Sequence, residues 1–443
     1  MCTMTTHPGV DKKELRRAYT ASLSGTALEY YDFAAYSVAA ATLFGDLFFP
    51  SGDDLAGTMA AFSTYAIGYL ARPLGGVVFG RLGDVIGRKK VLVHTLLLAG
   101  VATFLIGLLP TYATIGGAAA ILLVVLRFAQ GVAVGGEWGG AVLLSSEYGD
   151  PKRRGFWASA AQIGPPAGTL LANGVIALLG LLLTEAAFES WGWRVAFLLS
   201  AVLVAFGLWI RLRLEETPVF KAITERKERP SAPVSETLRT ERRAVVAGML
   251  VRVAPDVMYS MFTVFVLTYM VNELGMPKAQ GSAAVMIGSA VQLGLMPAFG
   301  HLSDRMNRRK LYLYGTIAAA IWPFVFFPMV SGGSFLALTA GIVVALVIHA
   351  ALYGPQAALI TEQFSPRLRY TGSSLAYTFA GVIGGAPAPL ILAALLNWTG
   401  SWWILGVYLA LTAVLTVVGL WLARDPADDE EVAVTAHEEK VLS

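Results

Sequence analysis

Residues 80–90 read GRLGDVIGRKK, and residues 300–310, half a chain later, read GHLSDRMNRRK. Both stretches lie between long apolar runs, and both keep a glycine, a leucine, an aspartate, an arginine and a lysine in register. Glycine permits a tight turn, and the cations disfavour transfer of the segment across a bilayer. One copy would be typical of any short loop between membrane helices. Two copies in register predict two related helical bundles.

The composition is that of a membrane protein. Of 443 residues, 56% are hydrophobic and only 14% are charged, whereas an average soluble domain has about 25% charged residues. The net charge of +3 is small, and no basic-aromatic stripe accompanies it, which argues against nucleic acid as a partner. The single cysteine, Cys2, excludes an intrachain disulfide and a cysteine-based metal site.

Twelve apolar runs are long enough to cross a bilayer, which takes about 20 residues per helix. They begin near Ala21, Gly57, Val91, Ala118, Phe156, Trp193, Ala244, Gly281, Leu311, Phe335, Thr371 and Trp402. The predicted domains are a tail (1–19), a first six-helix bundle (20–212), a polar linker (213–243), a second bundle (244–423) and an acidic tail (424–443).

Lysine and arginine are distributed asymmetrically between alternate loops. With the N-terminus in the cytoplasm, nearly all of them fall in the tails and the loops on that side, and the outer loops hold Arg194 and Lys278. Cytoplasmic loops of membrane proteins carry this excess of cations. We therefore expect both termini on the cytoplasmic side.

A second pair of loop motifs recurs in the same order as the first. Residues 147–155 read EYGDPKRRG, and residues 362–372 read EQFSPRLRYTG. With twelve crossings and the repeated 80–90 stretch, the chain resembles the major facilitator superfamily over nearly its whole length. The resemblance implies an all-α membrane fold of two six-helix bundles. It also implies a substrate cavity at the midplane between them, lined by helices 1, 4, 7 and 10.

The same resemblance implies a role for the repeated loop, which in this family latches one conformation through contacts with a neighbouring helix end. Carried over, Asp84 and Arg88 form the stronger latch, and Asp304 and Arg308 form the weaker one. In the second copy Asn307 stands at the position that Gly87 occupies in the first.

Ionisable residues inside membrane helices are costly and are therefore candidates for function. Helix 1 carries Glu29 and Asp32, three positions apart and so on one face, and helix 4 carries Arg127. The rise of a helix places Asp32 and Arg127 near the same depth, which favours an ion pair that a proton or a substrate releases. The alternative is a pair that only holds two helices together. Asp32 is the predicted proton-coupling residue, with Glu29 and Glu137 as further candidates, although Glu137 is equally suited to polar packing.

Other polar residues within the helices leave two interpretations each. Arg252 and Asp256, four positions apart, either neutralise each other or leave the arginine to meet an anion. Arg72 either reaches the membrane surface or points into the cavity. His349 is either a packing residue or a proton carrier, and Asn173 either packs or binds substrate. The predicted substrate-binding residues are Arg127, Arg252, Arg72, Tyr31, Gln130, Asn173, Asp256, His349 and Tyr353.

Five blocks narrow the resemblance to the metabolite:proton symporters, and most closely to their shikimate-type members. They are EYYDF (29–33), RPLGG (72–76), GGEWGG (135–140), WGWR (191–194) and EETPVF (215–220). That family takes up small polar metabolites such as shikimate, 2-oxoglutarate, citrate, proline and betaine. It is mainly bacterial, so the resemblance implies an inner membrane.

Motifs of other functional classes are missing from the sequence. No phosphate-binding glycine-lysine loop indicates ATP as the energy source, and no clustered His or Cys set indicates a metal. A membrane enzyme or receptor would need a nucleophile-base set or a sizeable soluble domain. We therefore predict a monomeric transporter without a cofactor that lies in the lipid bilayer and imports a small organic acid with protons. The alternatives are a uniporter, an exchanger or an exporter of a zwitterionic osmolyte.

Overall fold

A computed structural model describes residues 12–50, 60, 63–64, 66–227 and 230–424. Among these residues the chain forms helices and no strands. Twelve long helices are labelled α1 (Lys12–Thr42), α2 (Arg72–Ile86), α3 (Arg88–Leu108), α4 (Ala118–Tyr148), α5 (Arg154–Leu182), α6 (Trp193–Leu212), α7 (Arg242–Ser260), α8 (Lys278–Arg305), α9 (Arg308–Val330), α10 (Phe335–Thr361), α11 (Arg369–Ala380) and α12 (Trp403–Leu422). The acidic tail predicted after Arg424 lies outside the described residues.

Ten of these helices, counted over the described residues, are long and apolar enough to cross a membrane. The other two are α1, which carries Glu29 and Asp32 in its middle, and α2, whose described helix has only 15 residues. Two of the ten continue through a π-helical turn. α7 runs on through Met261–Phe265 to Asn272, and α11 runs on through Gly381–Gly385 to Thr399.

The helix starts agree with the apolar runs to within a few residues, except for α1 and α2. The second run was predicted to begin near Gly57, which lies outside the described residues. Helix α1 begins at Lys12 rather than near Ala21, so the predicted tail is helical from Lys12 onward. The discrepancy arises because hydropathy detects the part of a helix that contacts lipid. It does not detect a polar turn that extends the same helix into water. The linker also contains two short helices, Pro218–Glu225 and Pro233–Thr240.

The first half of the chain (α1–α6) contacts the second half (α7–α12) where α2 packs against α11 and α5 packs against α8. Glycines of the repeated stretch allow this close approach. A Cβ on Gly83 would lie 2.2 Å from Cδ2 of Tyr370, and a Cβ on Gly300 would lie 2.7 Å from the carbonyl oxygen of Gly155. The repeat therefore marks two of the places where the halves meet.

Candidate functional site

A cavity of about 540 Å³, including its opening, lies between the two halves. Five of the predicted binding residues line it, namely Arg72, Arg252, Asp256, His349 and Tyr353. The π-helical turns of α7 and α11 begin beside it, and such turns frequently occur at functional sites.

Arg72 is the cation that the first half contributes to this cavity. Its side chain is held by aromatic rings, because Cζ lies 4.5 Å from the Phe33 centroid and 4.0 Å from the Tyr69 centroid. The residue is only 3% exposed, and its Nε and one Nη have no hydrogen-bond partner among the described residues. The guanidinium therefore retains donors for another group, and it faces the cavity rather than the membrane surface.

Arg252, on α7, differs from Arg72 because two of its nitrogen atoms donate hydrogen bonds to neighbouring groups. Its Nε donates to Oδ1 of Asp256 at 3.0 Å, and one Nη donates to the carbonyl oxygen of Tyr377. Its Cζ also lies 3.4 Å from the Tyr377 ring centroid. These contacts favour mutual neutralisation within α7, the first of the two sequence alternatives. Oδ2 of Asp256 has no hydrogen-bond partner among the described residues.

The second half also lines the cavity with neutral polar groups. The Nδ1 atom of His349 lies 2.6 Å from Nε2 of Gln292, and the His349 ring stacks on Tyr353 with centroids 5.0 Å apart. The hydroxyl of Tyr377 lies 3.2 Å from that of Tyr353 and 3.4 Å from that of Tyr30. Gln292 and Tyr377 were missed by the sequence analysis, because neutral residues give no charge signal in an apolar helix.

A layer of side chains joins the halves on the side of the cavity nearer the repeated loops. Trp138 stacks on Tyr377 with ring centroids 3.8 Å apart and donates from Nε1 to Gln162 at 2.8 Å. Gln162 in turn donates to the carbonyl oxygen of Tyr353 at 3.0 Å. The cavity is therefore closed toward this end of the molecule.

Asp32 and Arg127 are connected through two neutral side chains. Thr103, on α3, donates to Oδ2 of Asp32 at 2.6 Å, and Gln130 donates from Nε2 to the Thr103 hydroxyl at 2.6 Å. Arg127 donates from Nη1 to Oε1 of Gln130 at 3.0 Å. The predicted acid and base thus belong to one network, but the connection that the structure describes runs through Thr103, which the sequence analysis missed.

A second cavity lies inside the first half and has room for about one water molecule. All three predicted proton-coupling residues, Glu29, Asp32 and Glu137, line it. Oε2 of Glu29 has no hydrogen-bond partner among the described residues. The structure therefore brings the three carboxylates to one place inside the first half.

Glu137 forms a buried ion pair with Arg211 of α6. It also accepts a hydrogen bond from Thr95 at 2.7 Å. Arg211 is 1% exposed and donates to the carbonyl oxygen of Leu92 at 2.5 Å. Arg211 lies near the end of the first predicted bundle (20–212), and its burial was not predicted. Its position at the edge of an apolar run concealed its burial.

The remaining predicted binding residues do not line the central cavity. Tyr31 donates to the carbonyl oxygen of Ala196 at 2.7 Å, between α1 and α6. Asn173 donates to the carbonyl oxygen of Thr169 at 2.9 Å, on its own helix. Arg127 and Gln130 belong to the Asp32 network, and Cζ of Arg127 lies over the rings of Phe33 and Tyr36.

The first repeated loop meets the second half at the start of α11. Oδ2 of Asp84 accepts a hydrogen bond from the backbone N–H of Thr371 at 2.8 Å. Arg88 lies 3.4 Å from Asp84 and donates to the carbonyl oxygen of Pro366 at 3.1 Å. Both side chains are fully buried, so the contact is shielded from water.

The second repeated loop makes the corresponding contact at the start of α5. Asp304 accepts hydrogen bonds from the backbone N–H groups of Gly155 at 2.7 Å and Phe156 at 2.8 Å. Arg308 pairs with Asp304 at 3.0 Å and with Glu362. Each aspartate therefore lies at the positive end of a helix in the opposite half.

The turn itself differs between the two copies. Gly87 adopts a φ of 114°, which side chains disfavour. Asn307 adopts a φ of −61° and instead accepts a hydrogen bond from the backbone N–H of Lys310 at 3.1 Å. The second copy thus turns without a glycine, because the asparagine side chain caps the following helix.

The family model of the Major Facilitator Superfamily matches residues 23–389 and again residues 256–442. The chain belongs to the major facilitator superfamily. It is 39% identical to the inner membrane metabolite transport protein YhjE of Escherichia coli K12 over 415 residues, which are 92% of this chain and 94% of that protein. It is 37% identical to the shikimate transporter of the same organism over 414 residues, which are 93% of this chain and 94% of that one.

The fold is shared with solved structures of the superfamily. The proton:xylose symporter XylE bound to 6-bromo-6-deoxy-D-glucose matches with a TM-score of 0.72 at 15% identity, over 92% of this chain and 95% of that one. The predicted fold class and family resemblance are confirmed. The chain is a multi-pass membrane transporter of the major facilitator superfamily and not an enzyme.

Proposed function

We propose that the chain is a proton-coupled symporter that imports a small organic acid by alternating access. Both termini lie in the cytoplasm of a bacterium, and the inner membrane is the site of uptake. The observation that carries the proposal is the guanidinium of Arg72, which lines the cavity between the halves and whose Nε and one Nη have no hydrogen-bond partner among the described residues.

An unpaired guanidinium in a buried cavity favours an anionic ligand. A buried charge is costly unless it is paired and hydrogen-bonded, and a carboxylate satisfies a guanidinium through two parallel hydrogen bonds. The rings of Phe33 and Tyr69 hold the Arg72 side chain but use none of its N–H donors. A substrate carboxylate supplies the missing acceptor, and His349 and Tyr353 supply neutral hydrogen-bonding groups on the opposite wall.

Proton coupling is assigned to Asp32, with Glu29 as the second candidate. Asp32 is a buried acid near the middle of α1, and its link to Arg127 gives it a counter-charge that depends on side-chain arrangement. Protonation removes the charge of Asp32. It thereby lowers the free-energy cost of moving the first half, with substrate bound, relative to the second half.

Alternating access requires the halves to separate at the closed end. Asp84 and Asp304 hold that end through backbone N–H groups of α11 and α5, and we assign Asp84 with Arg88 and Asp304 with Arg308 as its latches. Because the cavity and both latches lie within one chain, a monomer is the proposed working unit.

A zwitterion is the second candidate substrate. Asp256 lines the same cavity, and its Oδ2 has no hydrogen-bond partner among the described residues. That oxygen provides an acceptor for a substrate ammonium group beside the donors of Arg72. A carboxylate without an ammonium group remains the first candidate substrate, because Oδ1 of Asp256 is already paired with Arg252.

Uptake by proteoliposomes tests this function. The panel includes shikimate, quinate, 2-oxoglutarate, citrate and betaine, each offered with and without an imposed pH gradient. We expect one carboxylate to accumulate above its external concentration only when the outside is the more acidic side. Accumulation of betaine alone would select the zwitterion, and equal uptake with and without the gradient would contradict proton coupling.

A further inference from the structure

The hydrogen bonds between Arg127 and Asp32 run in one direction. A guanidinium only donates, so Oε1 of Gln130 must accept from Arg127, and this fixes the orientation of the Gln130 amide. Nε2 of Gln130 then donates to Thr103. The single hydroxyl proton of Thr103 is left to donate onward to Oδ2 of Asp32.

Thr103 has a second acceptor within reach. Its Oγ lies 3.0 Å from the carbonyl oxygen of Ala99, one helical turn earlier, and 2.6 Å from Asp32. A hydroxyl has only one proton and rotates to suit its surroundings, so it donates to one of these two acceptors at a time. When Asp32 is ionised, the carboxylate is the better acceptor, because hydrogen bonds to charged groups are the stronger ones.

We infer that Thr103 and Gln130 form a relay that reports the protonation state of Asp32 to Arg127. When Asp32 takes up a proton from water, its own O–H donates to Thr103, and the Thr103 hydroxyl turns to Ala99. The hydrogen-bonded series then no longer ends in a negative charge, and Gln130 no longer links Arg127 to an ionised carboxylate. Both relay residues are positioning residues, and their role rests on the proton coupling proposed above.

The position of the relay supports this role. Its four members come from three helices, α1, α3 and α4, and all are buried, so water does not compete for their hydrogen bonds. No charged side chain follows His94 in α3, and none follows Arg154 in α5. The titratable and charged groups of the surrounding helices that lie nearest the relay include Glu29, Tyr31 and Tyr36 on α1, Arg72 on α2, Arg127 and Glu137 on α4 and Arg211 on α6.

Infrared difference spectroscopy tests the relay without any transported substrate. The full chain is reconstituted in lipid, the pH is varied, and the carbonyl band of a protonated carboxyl that disappears in Asp32→Asn is assigned to Asp32. Thr103→Val removes a donor that stabilises the ionised form. We expect the midpoint of this band to move to higher pH by about one unit, the equivalent of one hydrogen bond to a charged group. Gln130→Leu should move it in the same direction.

Two further variants separate the relay from a purely structural effect. Thr103→Ser keeps the hydroxyl and should retain the wild-type midpoint. Thr316→Val is the matched control, because Thr316 is also buried in a membrane helix but donates to the backbone of Tyr312. The inference is overturned if Thr103→Val and Gln130→Leu both keep the wild-type midpoint, or if no band is lost in Asp32→Asn. Since no uptake is measured, a failed uptake assay and a failed relay remain distinguishable.

Discussion

The two cavities of this transporter differ in the charged residues that line them, because the first is lined by arginines and an aspartate and the second by carboxylates alone. The cavity between the halves presents the guanidinium of Arg72, whereas the cavity inside the first half presents the carboxylates of Glu29 and Asp32. One stretch of α1 serves both, because Tyr30 lines the first cavity while Glu29 and Asp32 line the second. In the proposed function, α1 therefore presents one face to the substrate and another to the proton.

Each cavity also contains a charge that is already neutralised by a neighbour. Arg252 is paired with Asp256 in the first, and Glu137 is paired with Arg211 in the second. The comparison teaches that a charge within a membrane helix is not by itself a functional residue. The state of its partners distinguishes a residue available for chemistry from one that stabilises the fold.

The largest effect is expected from Glu137→Gln, which leaves Arg211 buried without its partner. Removing one member of a buried ion pair typically costs about 3 kcal/mol or more. We expect the free energy of unfolding to fall by about this amount, with a lower midpoint of thermal unfolding in detergent. Proton-driven uptake by the surviving protein should remain.

The double variant Glu137→Gln with Arg211→Met provides the control for this prediction. It removes both charges and should recover much of the stability. If Glu137→Gln unfolds at the wild-type temperature and abolishes proton coupling, Glu137 belongs with Asp32 rather than with the structural pairs.

Arg72→Lys should have the next largest effect. Lysine keeps the charge but does not reproduce the two-point contact with a carboxylate. The half-saturation concentration for a carboxylate should rise about 10-fold, the cost of one charge-assisted hydrogen bond. Initial rates of uptake over a range of concentrations measure it. An unchanged value would remove Arg72 from the binding site.

Arg252→Lys should change the half-saturation concentration less than Arg72→Lys does. Arg252 already donates hydrogen bonds to Asp256 and Tyr377, and a lysine ammonium retains the ion pair with Asp256. The same kinetic assay compares the two variants directly. A larger effect at Arg252 would show that this pair opens to meet the substrate and would reverse the ranking of the two arginines.

The fold was predictable because each apolar run is long enough to cross a bilayer and because the 80–90 stretch recurs at 300–310. The few charged residues within the helices could also be identified from the sequence, since Asp32 and Arg252 stand out against apolar neighbours. Their partners were not. Thr103 and Tyr377 are residue types common in membrane helices, and only the packing of distant helices brings them to a charge. Whether a guanidinium is paired or unpaired is likewise a property of tertiary structure.

The most direct test of the central claim, that substrate and proton occupy separate sites, is a comparison of two assays on Asp32→Asn. One assay follows accumulation of radiolabelled shikimate, or of the carboxylate that the panel identifies, driven by a pH gradient. The other follows exchange of the same compound across liposomes at equal pH. Asparagine resembles the protonated acid, so accumulation should be lost while exchange continues at a measurable rate. If Asp32→Asn still concentrates the compound against its gradient, or if binding and exchange disappear together with accumulation, the separation of the two sites is contradicted.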